Sequence, residues 1–107
     1  MLPQPVRRRY LALELDAEQT LHERDVADAI WGAVLQLFGE YGASRASLSL
    51  IEHNPQRGYA IVRCSLEALE MVRASIASIT EIDGKPAALH VLMVSGTLKA
   101  LRRKVPL

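Results

Sequence analysis

The spacing of apolar residues switches repeatedly along this chain, and this switching restricts its possible folds more than any other feature. Leucines occupy every second position between residues 11 and 15, which is typical of a half-buried strand. Residues 20–41 instead carry apolar side chains three and four positions apart, which indicates an amphipathic helix. The whole pattern predicts the order β-α-β-β-α-β followed by a short helix, over residues 10–15, 20–41, 46–52, 59–64, 65–79, 87–94 and 97–104.

Capping and turn residues mark the ends of these elements. Thr20 and Glu23 have the spacing of a capping box, and Gly42 suits the position just past the end of the first helix. Asn, Pro and Gly within residues 53–58 predict a hairpin, and Ser65 is placed to cap the second helix. Residues 83–86 predict a turn, and Ser95 and Thr97 are predicted to cap the last helix.

Two β-α-β units joined by a hairpin predict an α+β, ferredoxin-like sandwich, with a four-stranded antiparallel sheet, two helices on one face and a C-terminal helix. The 107 residues suit one domain spanning residues 1–107. The second face of the sheet is left uncovered unless the terminal helix folds back over it. We therefore expect an apolar interface for a protein partner there, formed by Tyr10, Ala12, Tyr59, Ile61 and Leu92.

Charge is segregated along the chain although the net charge is only +1. Residues 1–9 and 96–107 together hold seven basic residues and no acid, whereas residues 10–95 hold six basic residues and all twelve acids. We expect residues 1–8 to form a flexible basic arm. Such basic ends either attract a polyanion or are simply solvated, and charge alone favours neither.

No constellation of catalytic or metal-binding residues is evident. The loop at residues 16–19 carries two carboxylates that would repel a phosphate, which argues against an acylphosphatase-type enzyme. Cys64 lies in a predicted strand without an adjacent base, so we interpret it as a core residue. We predict no metal site, because metal-ligand spacing is absent among His22, His53 and His90.

The single cysteine and the absence of a long apolar run favour a soluble protein of the reducing cytoplasm, without membrane attachment. Modules of this topology that recognise RNA stack bases on aromatic side chains of the sheet. Tyr10 and Tyr59 are placed to do so, but residues 58–64 lack the aromatic-rich pattern of those modules. Phosphate contact by the basic ends requires no such pattern.

Five segments carry a family resemblance: "RRRYLALEL", "LFGEYGAS", "LSLIEH", "AIVRCS" and "VSGTLKALRRK". In this order they resemble the ribonuclease P protein component 2 family of archaeal ribonuclease P, which has a eukaryotic counterpart. The resemblance runs from about Arg8 to Lys104, and its most specific parts are Phe38 to Ala43 and Val94 to Thr97.

This resemblance implies a non-catalytic subunit of a ribonucleoprotein whose RNA removes the 5′ leader from precursor tRNA. It implies ribonuclease P RNA and ribonuclease P protein component 3 as partners, the latter in a two-plus-two heterotetramer, and Mg²⁺ held mainly by the RNA rather than by this chain. The residues that we expect to contact RNA are Arg7, Arg8, Arg9, Arg45, Lys99, Arg102, Arg103 and Lys104.

Two other functions remain open at this point: a dimerising protein scaffold without RNA contact, and a free-standing binder of single-stranded RNA. Several motif residues also have structural explanations. Gly39 and Gly42 are interpreted as structural, and Trp31 as a core residue of the first helix. Arg45 is equally compatible with RNA contact and with a solvated charge.

Overall fold

The computed structural model describes residues 7–105. It consists of one curled antiparallel sheet with helices on both faces. The strands are β1 (Arg8–Ala17), β2 (Ser49–Asn54), β3 (Tyr59–Ser65), β4 (Glu81–Ile82) and β5 (Lys85–Ser95). The helices are α1 (Glu23–Ala46), α2 (Leu69–Ala77) and α3 (Leu98–Lys104).

The sheet has five strands in the order β2-β3-β1-β5-β4, so the prediction of four strands is wrong. The additional strand β4 pairs only with β5, through Glu81 opposite Pro86 and Ile82 opposite Lys85. Asp83 and Gly84 both have positive φ, at 55° and 77°, as a two-residue hairpin turn requires. The predicted turn at residues 83–86 therefore closes a hairpin whose first strand is too short to show a recognisable alternation.

One face of the sheet packs against α1 and α2 to form the main core. The predicted strand pattern is confirmed on this face, where Leu11 and Leu13 are fully buried. Helix α1 contributes Val26 and Ile30, and α2 contributes Val72. Burial of apolar surface contributes about 25 cal/mol per Å², so each of these side chains stabilises the fold by about 1.5–3 kcal/mol relative to an exposed position. This layer therefore holds the sheet and both helices together.

Helix α1 is longer than predicted and is not straight. It begins at Glu23, where the Asp25 carboxylate accepts a hydrogen bond from the His22 backbone N–H at 3.1 Å, so the predicted Thr20 and Glu23 capping box is wrong. The backbone leaves the helical region at Gly39, whose φ is 72°, and a further helical segment then runs to Ala46. The helix therefore does not end at Gly42.

Helix α2 begins later than predicted. Ser65 does not cap α2, whose N-cap residue is Ala68. The Ser65 hydroxyl instead accepts a hydrogen bond from the Ala68 N–H at 3.3 Å, in the turn that follows β3. Regular helix starts only at Leu69 and ends at Ala77. Thr97 caps α3 as predicted, since its hydroxyl oxygen accepts a hydrogen bond from the Ala100 N–H at 3.1 Å.

The second face of the sheet is covered by α3, which forms a smaller core there. Leu101 and Val105 pack on Ala12 and Ile61, and Leu101, Ala12 and Ile61 are fully buried. The expectation that Ala12 and Ile61 form an uncovered partner interface is therefore wrong, because the terminal helix folds back over them. Tyr10 and Tyr59 are half-buried at the edges of the same cluster, and Leu92 is 46% exposed.

The described residues include no helix that is long and apolar enough to cross a membrane.

Candidate nucleic-acid interface

The structure divides the predicted RNA-binding residues between the two faces of the sheet. Helix α3 presents its basic residues on the face opposite α1 and α2, which we call the outer face. Lys99, Arg103 and Lys104 are exposed, and they form no ion pair within residues 7–105. The apolar side of α3 is fixed to the sheet by Leu101, so these three cations are held at the surface of a packed element.

Arg102 has a different environment, because it forms an ion pair with Glu52 of β2. The guanidinium donates to both carboxylate oxygens of Glu52, and the Tyr59 hydroxyl donates to the same carboxylate at 2.6 Å. These hydrogen bonds, that from Arg102 first, lower the pKa of Glu52. Arg102 therefore anchors α3 to the edge of the sheet, whereas the sequence predicted a free charge for RNA.

Arg45 lies at the last turn of α1, on the helical side of the sheet. It forms an ion pair with Glu67 at 3.0 Å and donates a hydrogen bond to the Tyr41 hydroxyl at 3.0 Å. These contacts, that with Tyr41 first, raise the pKa of Arg45. The structure thus separates Arg45 from the cations of α3, and the predicted set does not form a single cluster.

Arg7, Arg8 and Arg9 lie at the start of the central strand β1 rather than on an arm. The Arg7 carbonyl accepts a hydrogen bond from the Leu66 N–H at 2.8 Å, and Arg8 is the first residue of β1. The prediction of a flexible arm is therefore wrong for these two residues, while residues 1–6 lie outside the described part of the chain. The Arg9 guanidinium donates to the Arg8 carbonyl at 2.9 Å.

Arg63 of β3 was missed by the sequence interpretation. It lies directly opposite Tyr10 of β1 and Ser49 of β2 in the strand register. Its Nε atom is buried and has no hydrogen-bond partner in the described structure. The alternation of β3 carried the signal, because Arg63 is two residues after Ile61 and therefore shares the outer face with it.

The cysteine and histidine side chains that resemble catalytic groups lie in environments typical of structural residues. Cys64 is buried in the main core, and this burial raises the pKa of its thiol to about 11. His90 lies on β5 with its Nε2 atom 3.7 Å from the Asp16 carboxylate. Within residues 7–105, no group of three His, Cys, Asp or Glu side chains is placed to hold a metal ion.

Large apolar side chains are exposed along α1. Trp31 is 42% exposed, so its assignment to the core is wrong. Leu37, Phe38 and Tyr41 are also exposed on α1, on both sides of the break at Gly39. Exposed apolar surface of this kind is typical of a protein interface.

Comparison with known proteins places this architecture in a family. A model of the Rpp14/Pop5 family matches residues 9–106. The chain is 34% identical over 98 residues to ribonuclease P protein component 2 of Pyrococcus furiosus, covering 92% of this chain and 82% of that protein. It is 35% identical over 98 residues to the protein of the same name from Methanosarcina mazei, covering 92% of this chain and 83% of that protein.

The fold is also similar to a chain in the cryo-EM structure of yeast ribonuclease MRP. The TM-score is 0.72 at 14% identity, and the match covers 91% of this chain and 79% of that one. This likeness concerns the fold alone, whereas the sequence matches extend over nearly the whole chain. This chain belongs to the Rpp14/Pop5 family.

Proposed function

We propose that this chain is a protein subunit of ribonuclease P that supports the catalytic RNA in removing the 5′ leader from precursor tRNA. The family match and the relatives named ribonuclease P protein component 2 support this role. In this proposal the chain alone is not catalytic and the RNA holds the Mg²⁺. We place the ribonucleoprotein in the cytoplasm.

The observation that carries RNA contact is the arrangement of α3. Its apolar side is buried on the sheet, while Lys99, Arg103 and Lys104 are exposed and unpaired within residues 7–105. Cations held in fixed positions bind phosphates at a smaller entropic cost than cations on a disordered tail. This favours binding of the RNA backbone by the outer face.

The strand order also supports a ferredoxin-like assignment. The neighbours β2-β3-β1-β5 are antiparallel, and α1 and α2 connect strands across one face of the sheet. In this assignment β4 is an addition to the four-stranded arrangement. We propose it as the topology of the domain.

We further propose component 3 as the protein partner, in a two-plus-two heterotetramer. Since α3 covers much of the outer face, the exposed apolar surface of α1 is the stronger candidate for protein contact. The same surface also suits a dimerising scaffold without RNA contact, which is the second candidate function. Sedimentation of the chain alone and with component 3 tests both assemblies.

Salt-dependent binding to ribonuclease P RNA separates these functions. We expect the triple variant Lys99→Gln, Arg103→Gln, Lys104→Gln to flatten the plot of log affinity against log salt by about 2 units, at about 0.7–0.9 per phosphate contact. The matched control replaces three exposed cations elsewhere, Arg24, Arg73 and Lys85, with Gln. An unchanged slope in the triple variant, or no preference of the wild type over an unrelated RNA of equal length, would favour the scaffold.

A further inference from the structure

Arg63 carries an unsatisfied hydrogen-bond donor on the outer face, near the end where β1 begins. Its side chain is half-buried, and its Nε–H is buried without an acceptor in the described structure. Buried donors in native proteins nearly always have a partner, so an orphaned guanidinium N–H requires an explanation such as a bound ion. The side chains of Tyr10 and Ser49, which lie opposite Arg63 on either side, do not accept a hydrogen bond from this Nε–H within the described residues.

A second arginine lies beside this group. Arg8 is two residues before Tyr10 on β1, and Tyr10 is opposite Arg63, so Arg8 and Arg63 are diagonal neighbours on one face. Neither arginine forms an ion pair within residues 7–105. Like charges at such positions repel each other unless an anion lies between them.

The surrounding acids are not available to neutralise this pair. Glu52 is the nearest acid by register, opposite Ile61, but its carboxylate already binds Arg102 and Tyr59. Glu14 and Asp16 lie farther along β1, beyond the part of the face that α3 covers at Ala12. The end of the outer face where β1 begins is therefore positively charged.

We propose that Arg63, together with Arg8, binds a phosphodiester group of the ribonuclease P RNA. The planar guanidinium presents several N–H donors to one anion, which suits a phosphate better than a single ammonium does. This inference rests on the proposed function and adds a specific phosphate site to it. The same chemistry would also accept free inorganic phosphate, so the test includes both.

The decisive variant is Arg63→Met, which keeps an unbranched apolar stem and removes the guanidinium. We expect it to flatten the plot of log RNA affinity against log salt by about 0.7–0.9, the value of one phosphate contact. The matched control is Arg73→Met, an exposed arginine of α2 on the opposite side of the sheet, which should leave the slope unchanged. The double variant Arg8→Met, Arg63→Met should flatten the slope little further, because both arginines are proposed to bind the same phosphate.

Thermal unfolding separates RNA binding from a structural role. We expect Arg63→Met to melt no lower than the wild type, because it removes a buried donor that has no partner. If Met at this position prevents folding, Arg63→Lys keeps the charge and should show an intermediate affinity, and wild-type affinity in that variant would contradict the guanidinium contact. A folded Arg63→Met variant with the wild-type salt slope would overturn the proposal.

NMR of the Arg63 Nε–H shows whether RNA or free inorganic phosphate supplies the bound anion. A shift of this signal with RNA at stoichiometric concentration supports the proposal, whereas a shift with millimolar inorganic phosphate and none with RNA contradicts it. If the wild-type chain does not prefer ribonuclease P RNA at all, the proposed function fails rather than this site alone.

Discussion

The ion pair between Arg102 and Glu52 joins α3 to the edge strand β2 and leaves Lys99, Arg103 and Lys104 as the exposed cations of α3 without an ion pair within residues 7–105. No acid follows Asp83 in the chain, so Arg102 looked unpaired, yet it binds Glu52, which lies 50 residues away. The Thr97 cap, in contrast, connects residues three positions apart and was predicted correctly. Local pairings can be inferred from sequence because the backbone fixes their distance, whereas long-range pairs require the strand register.

Replacing Glu52 with Gln tests the anchoring role of Arg102. We expect a loss of stability of about 1 kcal/mol or less, since this pair is partly exposed. Because the fold lowers the pKa of Glu52, its contribution is complete above the unfolded value of about 4.3 and is lost as the pH falls through the folded value. Denaturant titrations of both proteins should therefore converge only as the pH falls below the lowered, folded pKa of Glu52.

The Glu52→Gln variant also frees Arg102 to contact phosphate. We therefore expect this variant to bind RNA more tightly and to show a steeper dependence of log affinity on log salt. Glu81→Gln, an exposed acid on β4, is the matched control and should change neither. A Glu52→Gln variant with stability equal to the wild type at neutral pH would show that the pair does not hold α3.

The individual helices and strands follow the apolar periodicity closely, but their ends do not. Helix α1 was predicted from its stripe of apolar side chains, and Val26, Ile30 and Val34 are indeed buried. Its end was misplaced because Gly42 resembles a terminating glycine, while Gly39 is the residue with positive φ. Gly42 is needed instead for close packing, which depends on the neighbouring Met71 of α2 and cannot be inferred from spacing.

Alanine substitutions at Gly42 and Gly32 test whether Gly42 is required for close packing. A Cβ at position 42 would lie 2.6 Å from the Phe38 Cβ and 3.1 Å from the Met71 Sδ, so Gly42→Ala should destabilise the fold by about 1–3 kcal/mol. The control is Gly32→Ala in the same helix, where nothing lies within 4 Å of the added Cβ and stability should rise by about 0.5–1 kcal/mol. Urea unfolding measures both, and equal effects would contradict the packing explanation.

The attachment of α3 depends on one buried side chain. Leu101→Ala should destabilise the protein by about 2–5 kcal/mol, as for other fully buried leucines. Arg103→Ala is the control on the exposed side of this helix and should lie within about 0.5 kcal/mol of the wild type. If Leu101→Ala unfolds in urea at the wild-type midpoint, α3 is not packed on the sheet in solution.

In the whole molecule, the sheet separates two surfaces of different character. The helical side exposes apolar residues of α1, and the outer side exposes the cations of α3 and Arg8 at the start of β1. The sequence predicted the α+β class and the segregation of charge, because both depend on local pattern. The sequence did not show whether α3 covers the sheet or that Arg63 lies on the outer face. Both depend on which strands are neighbours in the sheet.

The central claim is that this chain supports an RNA that performs the cleavage. Reconstitution with ribonuclease P RNA and component 3 in Mg²⁺, with and without this chain, tests it directly by the rate at which the 5′ leader is removed from precursor tRNA. We predict faster cleavage when the chain is present and none by the RNA-free chain. An unchanged rate on omitting the chain, or cleavage by the chain without RNA, would contradict the account.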